Sequence, residues 1–173
     1  MELKDIIRDV KDFPKPGIVF KDITPLLANP QLFGYVIERL SAFTSQRESD
    51  MVLAAESRGF LFGAAVAYRL GLPLAVVRKP GKLPYETVSH AYDLEYGTDT
   101  LEIHKDAIRK GQRVMVIDDL IATGGTLEAC AKLVEKLGGI VAGCACVIEL
   151  SFLKGRERLK DYKVFSIIDY KSG

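Results

Sequence analysis

Residues 114–126 read Val114-Met-Val-Ile-Asp-Asp-Leu-Ile-Ala-Thr-Gly-Gly-Thr126, and they are the most informative stretch of the chain. Its apolar start predicts a buried strand, and the small residues that follow predict a loop leading into a helix from Thr126. Asp118 and Asp119 stand where the apolar run ends. In an open α/β sheet, ligands bind at the carboxyl ends of the strands, so this order of residues places polar groups at a binding edge.

The rest of the chain alternates short apolar segments with segments of helical periodicity. Apolar runs predict strands at residues 51–55, 74–77, 113–117, 140–150 and 163–168. Helical spacing predicts helices at residues 2–10, 29–43, 59–70 and 126–137. This alternation predicts an α/β fold, with a mostly parallel open sheet and helices on both faces, in a single domain over residues 1–173.

Two segments depart from this alternation. Residues 13–25 contain three prolines, which exclude a helix and predict a loop with a short extended centre. Residues 79–104 alternate on either side of Gly97, which predicts a two-stranded hairpin. A hairpin that leaves an α/β core is either a mobile lid over a site or a decoration, and the pattern alone does not choose between them.

Composition and charge exclude several classes of protein. Of 173 residues, 48% are apolar and 27% are charged, with 24 Lys and Arg against 23 Asp and Glu, so a globular protein without a broad nucleic-acid-binding face is expected. The chain has no uncharged apolar run of membrane-spanning length, and acidic residues stand where a secretory signal would be basic. The three cysteines, Cys130, Cys144 and Cys146, form no CxxC motif and are expected to be core thiols of a cytoplasmic protein.

The loop after the strand has the composition of a phosphate cradle. Backbone N–H groups and hydroxyls at a helix N-terminus attract an anion, and five residues supply them here: Ala122, Thr123, Gly124, Gly125 and Thr126. No GxxxxGK[ST] or GxGxxG motif occurs, which argues against an NTPase or a dinucleotide-binding protein. Asp118 and Asp119 would repel a phosphate and suit a ribose diol or a hydrated Mg²⁺ instead. A phosphate site beside a diol site indicates a ribose 5-phosphate ligand.

Two short segments could contact further phosphate oxygens: Glu56-Ser57-Arg58, and the basic cluster of Arg78, Lys79 and Lys82. Arg58 can form a bidentate pair with a phosphate, or it is a surface arginine at the start of a helix. The basic cluster either closes over an anion or forms a solvated turn. His90 and His104 have no partner at metal-ligand spacing, so no metal site made by the protein is predicted.

Together with residues 114–126, three other segments carry a resemblance to a known family: Pro16-Gly-Ile-Val-Phe-Lys-Asp-Ile-Thr-Pro25, Ala55-Glu-Ser-Arg-Gly-Phe60 and Leu94-Glu-Tyr-Gly-Thr-Asp-Thr-Leu-Glu-Ile103. From about residue 10 to residue 150 the chain resembles the adenine phosphoribosyltransferase branch of the type I phosphoribosyltransferases. The resemblance implies the type I phosphoribosyltransferase fold and transfer of phosphoribose from phosphoribosyl pyrophosphate to adenine, giving AMP and pyrophosphate. It also implies Mg²⁺ carried with the pyrophosphate and a homodimer, to whose interface helix 29–43 could contribute.

The resemblance gives the residues of the phosphate cradle and its surroundings separate roles. It places the 5′-phosphate of the ribose on residues 122–126 and the ribose hydroxyls on Asp118 and Asp119. It places the pyrophosphate on residues 56–58, with a cis peptide between Glu56 and Ser57.

The remaining roles concern a lid over about residues 78–104 and an N-terminal base-binding segment over about residues 10–30. In the lid, the resemblance implies phosphate contacts from Arg78, Lys79 and Lys82, and it implies catalytic residues at Glu95 and Tyr96. Glu95 would hold N7–H of adenine or take the proton that N9 loses, unless it is an exposed strand residue. For the base, the resemblance implies main-chain contacts at Val19, a side-chain contact from Lys21, and a sandwich between Phe20 and Leu120.

Two rival functions share most of these residues. A phosphoribosyltransferase for another base would differ at residues 18–21 and 94–103. A non-catalytic regulator that senses phosphoribosyl pyrophosphate would need a DNA-binding domain or a basic face, and the length and charge of this chain argue against both.

Overall fold

The computed structural model describes residues 3–94 and 97–173. Its strands are β1 (Arg8–Lys11), β2 (Val19–Asp22), β3 (Met51–Ala55), β4 (Leu74–Val77), β5 (Thr87–Asp93), β6 (Thr98–His104), β7 (Arg113–Ile121), β8 (Ile140–Leu150) and β9 (Val164–Tyr170). Its α-helices are α1 (Thr24–Leu27), α2 (Pro30–Gln46), α3 (Gly59–Leu70), α4 (Gly125–Lys136) and α5 (Gly155–Arg158). Short 3-10 helices cover Leu3–Ile6 and Ser151–Leu153.

Five parallel strands form the central sheet, in the order β4-β3-β7-β8-β9. Successive residues of a strand point to opposite faces, so each central strand contributes to two cores. Met115 and Ile117 of β7 pack with α2 and α3 on one face. Val114 and Val116 pack with α4 and with the β5–β6 hairpin on the other face. The predicted α/β fold, with a parallel sheet covered by helices on both faces, is confirmed.

Local sequence explains where the helices begin and end. Helix α2 begins after Asn29, whose side-chain oxygen accepts a hydrogen bond from the N–H of Leu32, and Pro30 occupies its first turn. Helix α3 ends at Leu70 and is followed by Gly71, whose φ of 64° is a conformation that glycine adopts without strain. None of the α-helices in the described residues is long and apolar enough to cross a membrane.

The predicted helix over residues 2–10 is wrong beyond its first turn. Residues Arg8–Lys11 instead form β1, which pairs antiparallel with β2 so that Val10 lies opposite Phe20. Most of the apolar residues that suggested a helix lie in the first turn or directly after it. Ile7 is buried against the α2–α3 core, and Leu3 and Ile6 pack beside it. Beyond Ile7, pairing with β2 supplies the backbone hydrogen bonds that a helix would have supplied.

Strand β7 is longer than predicted, and this changes the position of the two acids. It continues through Ile121 because β8 runs beside it as far as Glu149, and Asp118 pairs there with Cys146. Asp118 and Asp119 therefore lie inside the last part of the strand instead of after its end.

The predicted hairpin is confirmed, with β5 and β6 paired antiparallel from Thr87 and His104 to Asp93 and Thr98. It is tied to the central sheet by two backbone hydrogen bonds between Arg78 and Glu102. Three of its side chains are buried in the core beside α4: Tyr92, Leu101 and Ile103.

Candidate active site

A cavity of about 260 Å³ opens at the carboxyl ends of β3 and β7. It is lined by Glu56, Ser57, Arg58, Tyr92, Leu94, Asp118, Asp119, Leu120, Ile121, Ala122, Thr123, Gly124, Gly125, Thr126 and Leu127. The structure therefore brings the two acids, the phosphate-cradle loop and the Glu56–Arg58 segment to one place. These groups come from two neighbouring strands, as expected for a ligand site in an open α/β sheet.

The two acids are buried at the floor of this cavity. The backbone N–H of Asp119 donates to Oδ1 of Asp118 at 2.8 Å. Burial, together with the adjacent charge of Asp119, raises the pKa of Asp118 well above its usual value. A Cβ on Gly59 would lie only 2.9 Å from Oδ1 of Asp118, so the absence of a side chain at Gly59 lets α3 begin against this carboxyl group.

Arg58 contacts the second acid. Its Nε lies 2.9 Å from Oδ2 of Asp119, and its guanidinium carbon lies 4.8 Å from the centre of the Phe20 ring. The two groups form an ion pair without hydrogen-bond alignment. Among the described residues, neither Oδ2 of Asp119 nor the buried Nη1 of Arg58 has a hydrogen-bond partner. Both atoms are buried, so their hydrogen-bonding capacity is not satisfied within the described part of the protein.

Glu56 holds the first part of the predicted basic cluster. Its Oε1 accepts from Nη2 of Arg78 at 3.0 Å, and its Oε2 accepts from the backbone N–H of Lys79 at 2.7 Å. Burial acts to raise the pKa of Glu56, but these hydrogen bonds and the charge of Arg78 outweigh burial and lower it. The peptide bond between Glu56 and Ser57 is cis, as predicted.

Lys79 is also paired, through its ammonium, with Asp99 on β6. The hydrogen bond from Lys79 lowers the pKa of Asp99, and the backbone N–H of Thr100 adds a second hydrogen bond at 2.8 Å. Each of three predicted phosphate-contacting cations, Arg58, Arg78 and Lys79, is thus matched with a carboxylate. Lys82 lies in the exposed part of the same segment.

The phosphate-cradle loop is built by close backbone packing. Gly124 has a φ of 86° and precedes Gly125, the first residue of α4. A Cβ on Gly124 would lie 2.5 Å from the carbonyl oxygen of Gly155, and one on Gly155 would lie 2.6 Å from that of Ala122. The short segment that begins at Gly155 therefore supports the loop from behind.

The predicted base-binding residues are only partly collected at this cavity. Leu120 lines it, and Phe20 borders it through Arg58. Val19 lies in β2, outside the lining. Lys21 is only 5% exposed, and its ammonium lies 2.7 Å from Oδ1 of Asp9 and 4.1 Å from the centre of the Tyr170 ring. Its charge is therefore satisfied within the protein, where β2 meets β9.

Tyr92 lines the cavity although sequence reasoning did not select it. Its hydroxyl lies 3.4 Å from Oδ2 of Asp99 and is within hydrogen-bonding reach of Thr126 in the loop. Burial raises the pKa of Tyr92, so the hydroxyl stays protonated at neutral pH. The alternation of the hairpin placed Tyr92 on one face of β5, but nothing in that pattern showed that this face meets the loop.

Several predictions lie elsewhere or outside the described residues. Glu95 and Tyr96 lie outside the described residues. His104 accepts a hydrogen bond from the N–H of Tyr85 through Nε2 at 3.3 Å. Within residues 3–94 and 97–173, no group of three or more His, Cys, Asp or Glu is placed to hold a metal ion.

The three cysteines are free and buried, as expected. Burial raises the pKa of all three thiols: to about 12 for Cys144, and well above the usual value for Cys130 and Cys146. They are therefore protonated and unreactive components of the core.

Comparison with known proteins shows the family to which the chain belongs. Residues 24–173 match the family model of the phosphoribosyl transferase domain. The chain is 58% identical over 169 residues to the adenine phosphoribosyltransferase of a Thermoanaerobacter species, covering 98% of both proteins.

Solved structures give the same result. The crystal structure of adenine phosphoribosyltransferase from Thermoanaerobacter pseudethanolicus superimposes with a TM-score of 0.95 at 56% identity, over 97% of this chain and 98% of that one. The Saccharomyces cerevisiae enzyme, crystallised with an imino-altritol bisphosphate and adenine, superimposes with a TM-score of 0.89 at 41% identity, over 95% and 96% of the two chains. The predicted type I phosphoribosyltransferase fold is thus confirmed, and the chain belongs to the phosphoribosyltransferase family, in its adenine phosphoribosyltransferase branch.

Proposed function

We propose that this chain catalyses the transfer of phosphoribose from phosphoribosyl pyrophosphate to N9 of adenine, releasing AMP and pyrophosphate. The observation that carries the proposal is the cavity at the ends of β3 and β7. There the phosphate-cradle loop, the two buried acids and the Arg58 guanidinium converge on one volume. The relatives described above match this chain over nearly its whole length and are adenine phosphoribosyltransferases, which supports adenine as the base.

The parts of the sugar substrate fit different walls of the cavity. We assign the 5′-phosphate to the loop at 122–126, where N–H groups and the helix dipole favour an anion. We assign the ribose hydroxyls to Asp118 and Asp119, because carboxyl groups accept hydrogen bonds from a diol. Arg58, which also lines the cavity, then remains for the pyrophosphate.

Entry of the pyrophosphate would exchange one set of ion pairs for another. Arg58, Arg78 and Lys79 are each held by a carboxylate in the protein. A highly charged pyrophosphate competes with these single carboxylates, and Mg²⁺ bound to it would be attracted to the carboxylates that the cations leave. We therefore propose that Mg²⁺ enters as part of the substrate.

The transfer step makes specific demands on the surrounding groups. As the bond to pyrophosphate breaks, positive charge develops on the sugar and negative charge on the leaving group. Cations around the pyrophosphate stabilise the leaving group, and exclusion of water protects the cationic sugar from hydrolysis. Adenine loses a proton as N9 bonds to carbon, and we assign the carboxylate that assists this loss to Glu95, with Tyr96 beside it.

The position of Lys21 removes its side chain from the proposed contacts with adenine. Because its ammonium is buried between Asp9 and Tyr170, we assign adenine to the main chain of Val19 and to the apolar surfaces of Phe20 and Leu120. A flat aromatic base fits between an aromatic ring and an apolar side chain. Lys21 then serves to hold β2 in place.

We further propose a cytoplasmic homodimer. The protonated, buried thiols are compatible with a reducing compartment. Helices α2 and α3 expose the large apolar side chains of Tyr35, Leu61 and Tyr68, the last of them 91% exposed, and we assign the interface between the two copies to this side of the molecule. Light scattering across a range of concentrations measures the assembly directly, and a monomer at all concentrations would contradict this part of the proposal.

The test of the function is AMP formation from phosphoribosyl pyrophosphate and Mg²⁺ with adenine, hypoxanthine, guanine, xanthine and orotate in parallel. We expect adenine alone to react. Reaction with another base would leave the phosphoribosyl half of the site intact and refute the base assignment. Binding of phosphoribosyl pyrophosphate without reaction of any base would favour a regulator.

The role of Glu95 is tested by Glu95→Gln. We expect turnover to fall about 10²- to 10⁴-fold, because the general base is lost, with the affinity for phosphoribosyl pyrophosphate nearly unchanged. Glu86→Gln is the matched control, since Glu86 lies on the same excursion and forms an exposed pair with Lys105. Equal losses of turnover and affinity in Glu95→Gln would contradict the assignment.

A further inference from the structure

The loop at 122–126 contains no cation, although its proposed ligand is a phosphate that carries nearly two negative charges at neutral pH. The loop offers N–H groups, two hydroxyls and a helix dipole, which together supply only partial positive charge. In addition, α4 carries an acid in its first turn, Glu128. A carboxylate one turn from the phosphate would repel it unless another group neutralised the carboxylate.

Arg158 brings a full positive charge to this position. Its Nη1 lies 2.6 Å from the point where a Cβ on Gly125 would stand, so the guanidinium rests against the first residue of α4. Its Nε lies 3.4 Å from Oε2 of Glu128, and its Nη2 donates to the carbonyl oxygen of Asp93 at 3.3 Å. One side chain therefore touches the start of α4, its first-turn acid and the end of β5.

The backbone behind Arg158 is fixed to the same loop. Arg158 is the last residue of α5, which begins at Gly155. Gly155 packs directly on Ala122 and Gly124, and Leu159 is buried beside α4. The backbone of Arg158 is therefore fixed on both sides, at Gly155 and at Leu159.

We propose that Arg158 is a positioning residue for the 5′-phosphate of the substrate. It neutralises Glu128, which would otherwise repel a dianion bound at the N-terminus of α4. Arg158 is not among the residues that line the cavity, so it acts through charge and through the placement of α4. This inference rests on the proposed function, because it takes the loop at 122–126 to be the 5′-phosphate site.

The experiment measures the dissociation constant of ribose 5-phosphate and the KM values of phosphoribosyl pyrophosphate and adenine. For Arg158→Gln we expect the first two constants to rise about five- to tenfold at low salt, and less at high salt, with the KM of adenine within about twofold of the parent. Lys160→Gln removes an equal charge from an exposed neighbouring position and should change none of the three. Arg158→Lys keeps the charge and should retain most of the affinity for ribose 5-phosphate.

A double-mutant cycle tests the link to Glu128. In Arg158→Gln the carboxylate of Glu128 is left uncompensated near the phosphate, so the double variant Arg158→Gln/Glu128→Gln should recover part of the lost affinity. A purely structural role would not be relieved by removing a second side chain from the same contact.

Three outcomes would overturn the inference. Unchanged affinity of Arg158→Gln for ribose 5-phosphate would show that the charge has no influence on the site. If the KM of adenine rose as much as the KM of phosphoribosyl pyrophosphate, and if both Arg158→Gln and Arg158→Lys had a lowered melting temperature, Arg158 would serve stability alone. Further loss in the double variant would exclude the neutralisation of Glu128. Failure of the parent protein to bind ribose 5-phosphate would instead refute the proposed phosphate site itself.

Discussion

Gly59 shows how a single residue without a side chain shapes the binding site. A Cβ at this position would meet three atoms of β7: Oδ1 of Asp118 at 2.9 Å, Cα of Asp118 at 3.1 Å and the carbonyl oxygen of Ile117 at 3.1 Å. Two of these atoms belong to the backbone of a central strand and cannot move aside. The glycine in Glu56-Ser-Arg-Gly-Phe60 is therefore required for packing, and its backbone conformation is an ordinary helical one.

The prediction is that Gly59→Ala lowers the free energy of unfolding by about 1–3 kcal/mol, because the new methyl group overpacks the contact between α3 and β7. The same change displaces the Asp118 carboxyl group and should raise the KM of phosphoribosyl pyrophosphate. Urea unfolding and steady-state kinetics measure the two effects.

Gly34 provides the matched control in another helix. A Cβ there would have no atom within 4 Å, so Gly34→Ala should stabilise α2 by about 0.5–1 kcal/mol and leave the kinetics unchanged. If Gly59→Ala proved as stable as the parent protein, the close approach of α3 to Asp118 would not be the reason for this glycine.

Among the structural elements, the β5–β6 hairpin is more firmly attached than a hinged lid would be. Leu101 and Ile103 are buried in the core beside α4, and Glu102 pairs with Arg78 at the edge of the central sheet. Lifting the whole hairpin would expose these side chains. Local opening is therefore expected first in residues 79–86, most of which are exposed.

The hairpin is accordingly predicted to unfold together with the domain. Leu101→Ala should lower the free energy of unfolding of the whole protein by about 2–5 kcal/mol, as expected for a core leucine, while Thr98→Ala at an exposed position of β6 should change it by less than about 0.5 kcal/mol. Hydrogen exchange provides the direct measurement, with slow exchange in β5 and β6 and fast exchange in residues 79–86. Local exchange of the hairpin far faster than that of β7 would show that it is an independent lid.

For the molecule as a whole, several carboxyl groups favour folding at neutral pH over acid. Burial acts to raise the pKa of Glu149, but hydrogen bonds from Arg156 and Ser166 lower it below the ordinary value of 4.5. The pKa of Asp99 is lowered by Lys79, and that of Glu56 is lowered as well. A carboxyl group whose pKa is lower in the folded state stabilises the fold above its unfolded pKa, and this stability is lost as the pH falls through the folded pKa.

The prediction is that the free energy of unfolding, measured by urea titration, decreases as the pH falls below about 4.5. Glu149→Gln should show a shallower decrease than the parent protein, because one of these groups no longer titrates. Asp118 acts in the opposite sense, because its pKa is higher in the folded state. Its contribution to the free energy of unfolding therefore decreases as the pH rises above 3.8, the ordinary pKa of an aspartate. A Glu149→Gln slope equal to that of the parent would show that the pair with Arg156 contributes nothing to the acid response.

Local sequence was sufficient for the central sheet and for one wall of the site. The apolar runs at β3, β7 and β8 are read from neighbouring residues alone, because burial on both faces requires a continuously apolar strand. The loop at 122–126 is likewise local, since the glycines and the helix N-terminus that favour an anion are adjacent in the chain. The other proposed site residues were assigned from short motifs that occur in the same order as in a known family.

Long-range contacts were needed for the rest. Tyr92 and Arg158 reach the loop from β5 and α5, and their neighbours in the chain carry no sign of this. From the sequence, Lys21 is a candidate solvated or ligand-binding cation. The fold instead places its ammonium against Asp9 and Tyr170. The physical reason is that periodicity and turn chemistry depend on residues a few positions apart, whereas burial and ion pairing depend on which segments the fold places together.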